Sequence, residues 1–572
     1  MGGEKFDVIV VGAGMAGVCA TLEAAERGQH VLLLDVAYGG GTSSISGGVV
    51  YAGGGTSTQR EAGVEDSVDN MFNYLIQETD GVVKDETVRR FCEESANSVE
   101  WLKAKGVKFQ GTVCPYKTSY PNDQFYLYYS GNEKSYPYKE YATPAARGHR
   151  TLAKGLDSGK VLMETLLGYA KELPNVTFQP LCKVTKLIVK GEAVVGVKYR
   201  GVKKFKNAKH ERYMKIGTSY GKYIKKLGNM MSKKSNKIWE AHAEEYEAYA
   251  KGVVLSAGGF IFNSDMVKEY GGPAQHTMPL GTVYDDGSGI RLGQMAGGDV
   301  AHMESLSIWR FLSPPADFIR GVVVDAKGER ILNEDLYGAT FTKKMVAEHD
   351  GKGYLFVDRE IWEAAKRNGP KESLSFQALM MRYLFILGHK KANSIGELVS
   401  KVKLPKDKVL ATISEYNNAI FLGKNEPMNK PFEAATPLMR PPFYCVNVSI
   451  KNAAVNPAPA LTLGGLRVNE ETGEVLRADG SEVRGLYAAG RTAVGICSNS
   501  YISGLSLADA MFSGRRAARH IANLGAVPVN DVEDTKSSLV NWWSLEIMYG
   551  MARFAQKLVE LENKLAGHRK GS

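Results

Sequence analysis

No CxxC pair occurs among the 572 residues: the six cysteines, Cys19, Cys92, Cys114, Cys182, Cys445 and Cys497, stand far apart. That spacing excludes a cysteine-held iron–sulfur cluster or zinc site and a CxxCH haem attachment, so no metal is expected. The scattered thiols read as reduced residues of a reducing compartment. Apolar runs of transmembrane length are also lacking, and a strand begins by Asp7, so the expected location is the cytoplasm. Gly2 would suit myristoylation, but Phe6 stands where Ser or Thr is wanted. A basic fold is absent too, despite a net charge of +10. Between Arg200 and Glu240 there are thirteen Lys or Arg against two Glu, a local balance of +11 that leaves the remainder at −1. The basicity belongs to one insertion of about residues 200–251, and nucleic-acid binding is not expected.

What the chain has in quantity is glycine, 62 residues, much of it clustered. Phe6 to Val11 is an apolar run, followed by Gly12-Ala-Gly14-Met-Ala16-Gly17 and a helical pattern to Arg27. His30 to Leu34 reads as a second strand and ends at Asp35. Strand, glycines, helix, strand and acid in register make a dinucleotide site: the glycines allow close pyrophosphate approach, and Asp35 accepts from a ribose hydroxyl. Gly39 to Gly48, which includes Gly41, Thr42, Ser43, Ser46 and Gly47, and Gly53 to Thr56 then read as cofactor loops. Two further strands end in small residues where a flat ligand can approach: Gly252 to Gly259, with Ala257 and Gly258, and Gly485 to Gly490. Asp286, in Asp285-Asp286-Gly287-Ser-Gly289, opens a helix. Another helix starts at Ser503-Gly504-Leu-Ser506-Leu507, with amides facing an electron-rich group and Tyr501 and Ser503 just before it.

Val176 to Pro180, Lys183 to Val189 and Glu192 to Tyr199 read as a small antiparallel unit. The segment from Tyr116 to Tyr141 is dense in tyrosine and reads either as a packed surface loop or as the wall of an apolar pocket. His149 reads as structural. The basic insertion interleaves charge with Tyr213, Met230, Met231, Ile238 and Trp239. It is expected to be a solvated surface loop or, alternatively, a contact with an anionic membrane surface. The fold class is α/β, a Rossmann-like FAD-binding domain of glutathione-reductase type with an inserted α+β cap domain. The domains expected are 1–305 and 441–526 for the FAD-binding part, 306–440 for the cap, and 527–572 for an apolar-periodic helical tail.

The second glycine loop is similar to that of the fumarate reductase and succinate dehydrogenase flavoproteins, where it holds the isoalloxazine. Ser43 and Ser44 stand near the position of the flavin-linking His of covalent members, so the resemblance implies noncovalent FAD. Those reductases clamp a dicarboxylate with arginines, and here Asp335-Leu-Tyr337-Gly338 and Tyr501-Ile-Ser503 carry none. Nearly the whole chain instead resembles the bacterial 3-ketosteroid Δ4-dehydrogenases, through Tyr51-Ala-Gly-Gly-Gly-Thr56, Pro144 to His149, Ala301-His-Met303, Glu334-Asp-Leu-Tyr337, Ser500 to Ser506 and Gly514-Arg-Arg516. The basic insertion and the tail lie outside the likeness. The resemblance implies proton transfer at C4 and hydride transfer between C5 and flavin N5. Tyr501 is then the base, Ser503 a relay, Tyr337 a partner across the pocket, and the Gly504 backbone a substrate contact. It implies flavin contacts at Gly12, Gly14, Ala16, Gly17, Asp35, Gly41, Thr42, Ser43, Ser46, Gly47, Gly48, Val184, Ala257, Gly258, Asp286, Gly490, Ser506 and Leu507. Further expectations are an uncharged 3-ketosteroid substrate and a separate electron carrier. The alternatives are a 3-ketosteroid Δ1-dehydrogenase, a reductase of a non-steroidal enoate, and a non-catalytic flavin-binding redox protein.

Overall fold

Val8–Val11 is four apolar residues, all buried. A strand with no polar face takes the middle of a sheet that is covered on both sides. It pairs in parallel with Val31–Leu34 on one edge and Gly252–Leu255 on the other. The sheet has six strands, in the order Glu474–Leu476, Glu482–Ala488, Gly252–Leu255, Val8–Val11, Val31–Leu34 and Val176–Gln179, and only the first runs antiparallel. Val176–Gln179 therefore belongs to the parallel sheet and not to the antiparallel unit expected from sequence. The helix Ser158–Glu172 precedes it and supplies the crossover that a parallel neighbour needs. The computed structural model describes residues 4–202, 207–221, 225–272, 275, 277–451 and 458–524. The tail expected over 527–572 lies outside the described residues.

The helices Met15–Glu26 and Leu505–Asn523 pack together over the sheet, both contributing to one buried apolar cluster. Arg515 ties them, donating from Nε to Glu23 at 2.7 Å. Their two N-termini consequently reach the same end of the sheet, above the carboxyl ends of its strands, where ligands of such folds bind.

Cys182–Lys190, Ala193–Gly201 and Glu244–Tyr249 form an antiparallel ribbon with Glu4–Lys5 on its edge. The basic insertion joins two adjacent strands of it. Glu244–Tyr249, inside the bounds of about 200–251 expected for the insertion, is itself a strand, and the described part before it forms the helices Ala208–Gly221 and Lys225–Glu240, where the sequence suggested a solvated loop. Met214 and Trp239 supply the reason, since both bury against Leu181 and Val202.

A separate antiparallel sheet runs in the order Val322–Val324, Tyr354–Val357, Phe443–Asn447 and His389–Ala392. Phe443–Asn447 pairs on both edges, so the expected boundary at residue 440 cuts through this sheet. No helix among the described residues is long and apolar enough to cross a membrane.

Candidate active site

A cavity of about 1700 Å³ runs along the strand ends, from Asp35 and Tyr38 past Gly12 and Ser43 to Trp309, Tyr337 and Tyr501. Gly12 has φ +103°, and a Cβ there would stand 2.6 Å from the Ser256 carbonyl oxygen. Only glycine accepts both conditions. Met15 donates its amide to Ser43 Oγ at 3.1 Å, and Val18 donates to the Gly14 carbonyl. The amides of Ala16 and Gly17 lie between them in the first helical turn, where no helical acceptor exists. They form the positive end of the helix dipole, suited to a pyrophosphate.

Asp35 is buried, which raises its pKa, and hydrogen bonds from backbone amides oppose that rise. Oδ1 accepts from Ala37 at 2.8 Å and Gly39 at 3.2 Å, whereas among the described residues Oδ2 accepts only from Ala13, at 2.7 Å. A carboxylate oxygen takes two donors, so Oδ2 retains one position for a ribose hydroxyl.

Every other cofactor residue expected from sequence lines this cavity: Gly14, Ala16, Gly41, Thr42, Ser43, Ser46, Gly47, Gly48, Val184, Ala257, Gly258, Asp286, Gly490, Ser506 and Leu507. Gly17 is the exception. It packs the helix against the turn, so closely that a Cβ would overlap the Gly12 carbonyl oxygen. Sequence reasoning chose Asp286 and passed over Asp285, which holds the centre of the site together. Asp285 accepts from Arg491 Nη2 at 2.8 Å, Gly259 N at 3.2 Å, Thr282 N at 3.1 Å and the Thr42 hydroxyl. Two adjacent aspartates offer the same signal in sequence, and only their side-chain directions separate them.

At the far end the chain turns from Tyr501 through Ser503 and Gly504 into the Leu505–Asn523 helix. Gly504 has φ +91°, and a Cβ would stand 2.7 Å from the Tyr51 amide nitrogen. The amides of Ser506 and Leu507 occupy the unpaired first turn and face the cavity, beside the aromatic wall. Tyr501 lies against Trp309, with ring centroids 5.3 Å apart, and Tyr337 lies against Phe311 at 5.2 Å. Ser503 Oγ lies 2.7 Å from Tyr128 Oη. Burial pushes the Tyr501 hydroxyl up to about 12, opposed by a hydrogen bond with Ser506. Burial also raises Tyr337 well above its ordinary value, as do the neighbouring Tyr501 and Tyr128 hydroxyls, while a hydrogen bond with Ser503 opposes this. Ser503, Tyr128 and Tyr337 thus form one buried hydroxyl cluster with the half-buried Tyr501 beside it, and the aromatic segment supplies Tyr128 to it.

Two arginines, Arg310 and Arg491, stand among the residues that line the cavity. Arg310 is buried, which pulls its pKa down to about 10, and its Nη2 donates to the Ser449 carbonyl at 2.8 Å. Arg491 is held by Asp285. His149 is structural, as expected. Its ring nitrogens meet Thr56 Oγ1 and the Arg147 carbonyl, each at 2.9 Å, and burial pulls it down to about 4.

The insertion lines the opposite end of the cavity, which sequence reasoning did not foresee. His210, Met214 and Trp239 join the wall beside Ala37 and Tyr38. Tyr38 Oη and His210 Nδ1 are 3.4 Å apart, and Trp239 Nε1 donates to the Leu181 carbonyl at 2.8 Å.

Two helix N-termini, glycine backbone at the pyrophosphate turn, and a carboxylate with one open position fit FAD. The comparisons agree, since residues 7–504 match the FAD binding domain family. The chain belongs to that family. It is an FAD-dependent oxidoreductase, and it is 33% identical over 511 residues to 3-oxo-5-alpha-steroid 4-dehydrogenase of Comamonas testosteroni, covering 85% of this chain and 92% of that one. It is 24% identical over 584 residues to 3-oxosteroid 1-dehydrogenase of Mycobacterium tuberculosis, covering 91% of this chain and 99% of that one. The crystal structure of 3-ketosteroid-delta4-(5alpha)-dehydrogenase from Rhodococcus jostii RHA1, in complex with 4-androstene-3,17-dione, superposes with a TM-score of 0.76. That pair is 28% identical, and the match covers 91% of this chain and 97% of that one.

Proposed function

We propose that this flavoenzyme acts on the C4–C5 bond of 3-ketosteroids, as a 4-dehydrogenase or, in reverse, as a Δ4-reductase. The observation that carries this reading is the hydroxyl cluster of Tyr501, Ser503, Tyr337 and Tyr128 set in an aromatic wall at the Ser506–Leu507 helix start. Desaturation beside a ketone removes a proton from C4 and a hydride from C5. FAD bound along the glycine turns supplies the hydride acceptor. Tyr501 takes the C4 proton, and Ser503, within hydrogen-bond distance of Tyr128, passes it along buried hydroxyls. Backbone donors near Gly504 polarise the C3 carbonyl, which stabilises the enolate that develops as the proton leaves. Trp309 and Phe311 give an uncharged ring system an apolar surface. A dicarboxylate would lack the arginine clamp of the fumarate reductases, because Asp335-Leu-Tyr337-Gly338 and Tyr501-Ile-Ser503 carry no arginine. The sequence carries no second redox motif, so electrons pass to or from a separate carrier.

The experiment is anaerobic mixing of the yellow protein with 5α- and 5β-3-ketosteroids saturated at C4–C5, and separately of the reduced protein with 2-enoates such as fumarate. Bleaching by a ketosteroid supports the reading. Reoxidation by enoates alone moves the chain to the enoate reductases, and inertness to both makes it a redox-binding protein. The pH profile gives a second check. A base whose hydroxyl is pushed up to about 12 is deprotonated tenfold more often for each unit gained below that value. Steroid-dependent flavin reduction should therefore rise with pH between about 7 and 9, and a flat profile there removes Tyr501 as the base.

For the insertion, the favoured role is closure of the adenosine end of the cofactor site by His210, Met214 and Trp239. Replacing residues 203–240 by a short Gly-Ser linker should weaken FAD binding by about tenfold, the effect of losing ~1.4 kcal/mol of contact. Affinity for FMN, which lacks the adenosine half, should stay the same. Equal FAD affinity in the two proteins would end this assignment.

A further inference from the structure

The cavity wall includes Gln377, Leu379 and Met380 of the helix Ser375–Ile386, together with Ser119, Tyr120 and Leu156. Leu379 is nonetheless 68% exposed, which places it on the rim. It begins an apolar stripe that faces water: Met380 is 45% exposed, Tyr383 44%, Ile386 72% and Leu387, just past the helix, 67%. Positions 379, 380, 383, 386 and 387 lie on one helical face. The opposite face seats the helix, with Met381 buried and the Phe385 ring 5.0 Å from Trp362 and 6.0 Å from Phe318. A continuous exposed stripe of this kind marks an interaction surface.

The surrounding charge indicates which surface. From residue 366 to 391 the chain carries Lys366, Arg367, Lys371, Arg382, Lys390 and Lys391, all exposed. The single acid there, Glu372, is buried and accepts from the Ala316 amide at 2.8 Å. One exposed acid adjoins them, Glu363, 3.5 Å from Lys366, so exposed cations remain in excess around the apolar helix face, the chemistry of a segment that lies in the interface of an anionic bilayer.

We propose that the Leu379–Leu387 face docks on an anionic lipid surface, so that an apolar substrate passes from lipid into the cavity at Leu379 without crossing water. The delivery step rests on the ketosteroid reading above, whereas the docking does not. This surface is distinct from the basic insertion, whose Met214 and Trp239 are buried at the other end of the cavity.

The test is cosedimentation of the full FAD-loaded chain with phosphatidylcholine vesicles, with and without phosphatidylglycerol, for the wild type and for an Ile386→Gln/Leu387→Gln variant. Neither substituted residue lines the cavity, so flavin reduction by steroid presented on cyclodextrin should be unchanged in the variant, which also reports on its fold. The wild type should pellet with the anionic vesicles, and the double variant should partition about tenfold less. Added salt should weaken wild-type binding. Equal pelleting of the two proteins, no pelleting by either, or a change in oligomeric state on substitution without loss of lipid binding would each overturn the proposal. Because pelleting needs no turnover, a chain that is inert to steroids can still dock, and failure to dock leaves the steroid reading standing.

Discussion

Tyr501→Phe should hold FAD with an unaltered spectrum and reduce it with steroid about 10²-fold or more slowly than the wild type, the usual contribution of a positioned general base. The substitution keeps the ring that stacks near Trp309 at 5.3 Å, so packing and the apolar wall survive. What disappears is the hydroxyl that we propose as acceptor of the C4 proton. Ser503→Ala should cost less, because Tyr128 and Tyr337 stay in place and a water can occupy the space of a relay hydroxyl. Stopped-flow flavin bleaching checks both variants. Wild-type rates in Tyr501→Phe would remove it from the chemistry, and the Tyr337 hydroxyl would become the candidate base.

Gly17→Val should yield protein that is folded yet nearly colourless. The helix Met15–Glu26 touches the turn at this point, where a Cβ would collide with the Gly12 carbonyl oxygen. Overpacking of this kind costs ~1–3 kcal/mol, less than the ~5–15 kcal/mol that holds a domain together, so the fold survives. The helix start must shift to make room, and the Ala16 and Gly17 amides move away from the pyrophosphate position. A displacement of ~1 Å is enough to cost about 10²-fold. FAD titration of the apoprotein, alongside circular dichroism, measures this. Wild-type flavin content would show that the turn tolerates the shift.

These two positions were legible in the sequence because each rests on local grammar. Gly12, Gly14 and Gly17 fall between two strands at a fixed spacing, and Tyr501 and Ser503 precede a helix start. The pieces that escaped are set by contacts between distant parts of the chain. Tyr128 meets Ser503 across 375 positions, and nothing near Tyr128 distinguishes it from the other tyrosines of its segment. Trp309 and Phe311 follow a short strand whose pairing with Pro459–Thr462 carries no sequence signal. Asp285 differs from Asp286 only in the direction it points. The strand Val176–Gln179 was read in the wrong sheet because four residues carry a pattern but not a partner. In the insertion, charge dominated the reading, whereas the two side chains that seat it, Met214 and Trp239, stand 25 positions apart and meet only because its two helices pack together.

In the proposed function the bond acted upon is C4–C5, with Tyr501 at the C4 proton. Its most direct test is a single anaerobic turnover with a 3-ketosteroid saturated at C4–C5 and deuterated at C5, given separately in its 5α and 5β forms, with the product identified by mass and NMR. At least one form should bleach the flavin, deuterium at C5 should slow the bleaching, and the product should carry a new C4=C5 double bond. A product desaturated at C1–C2, or bleaching indifferent to deuterium at C5 with no C4=C5 product, would contradict it.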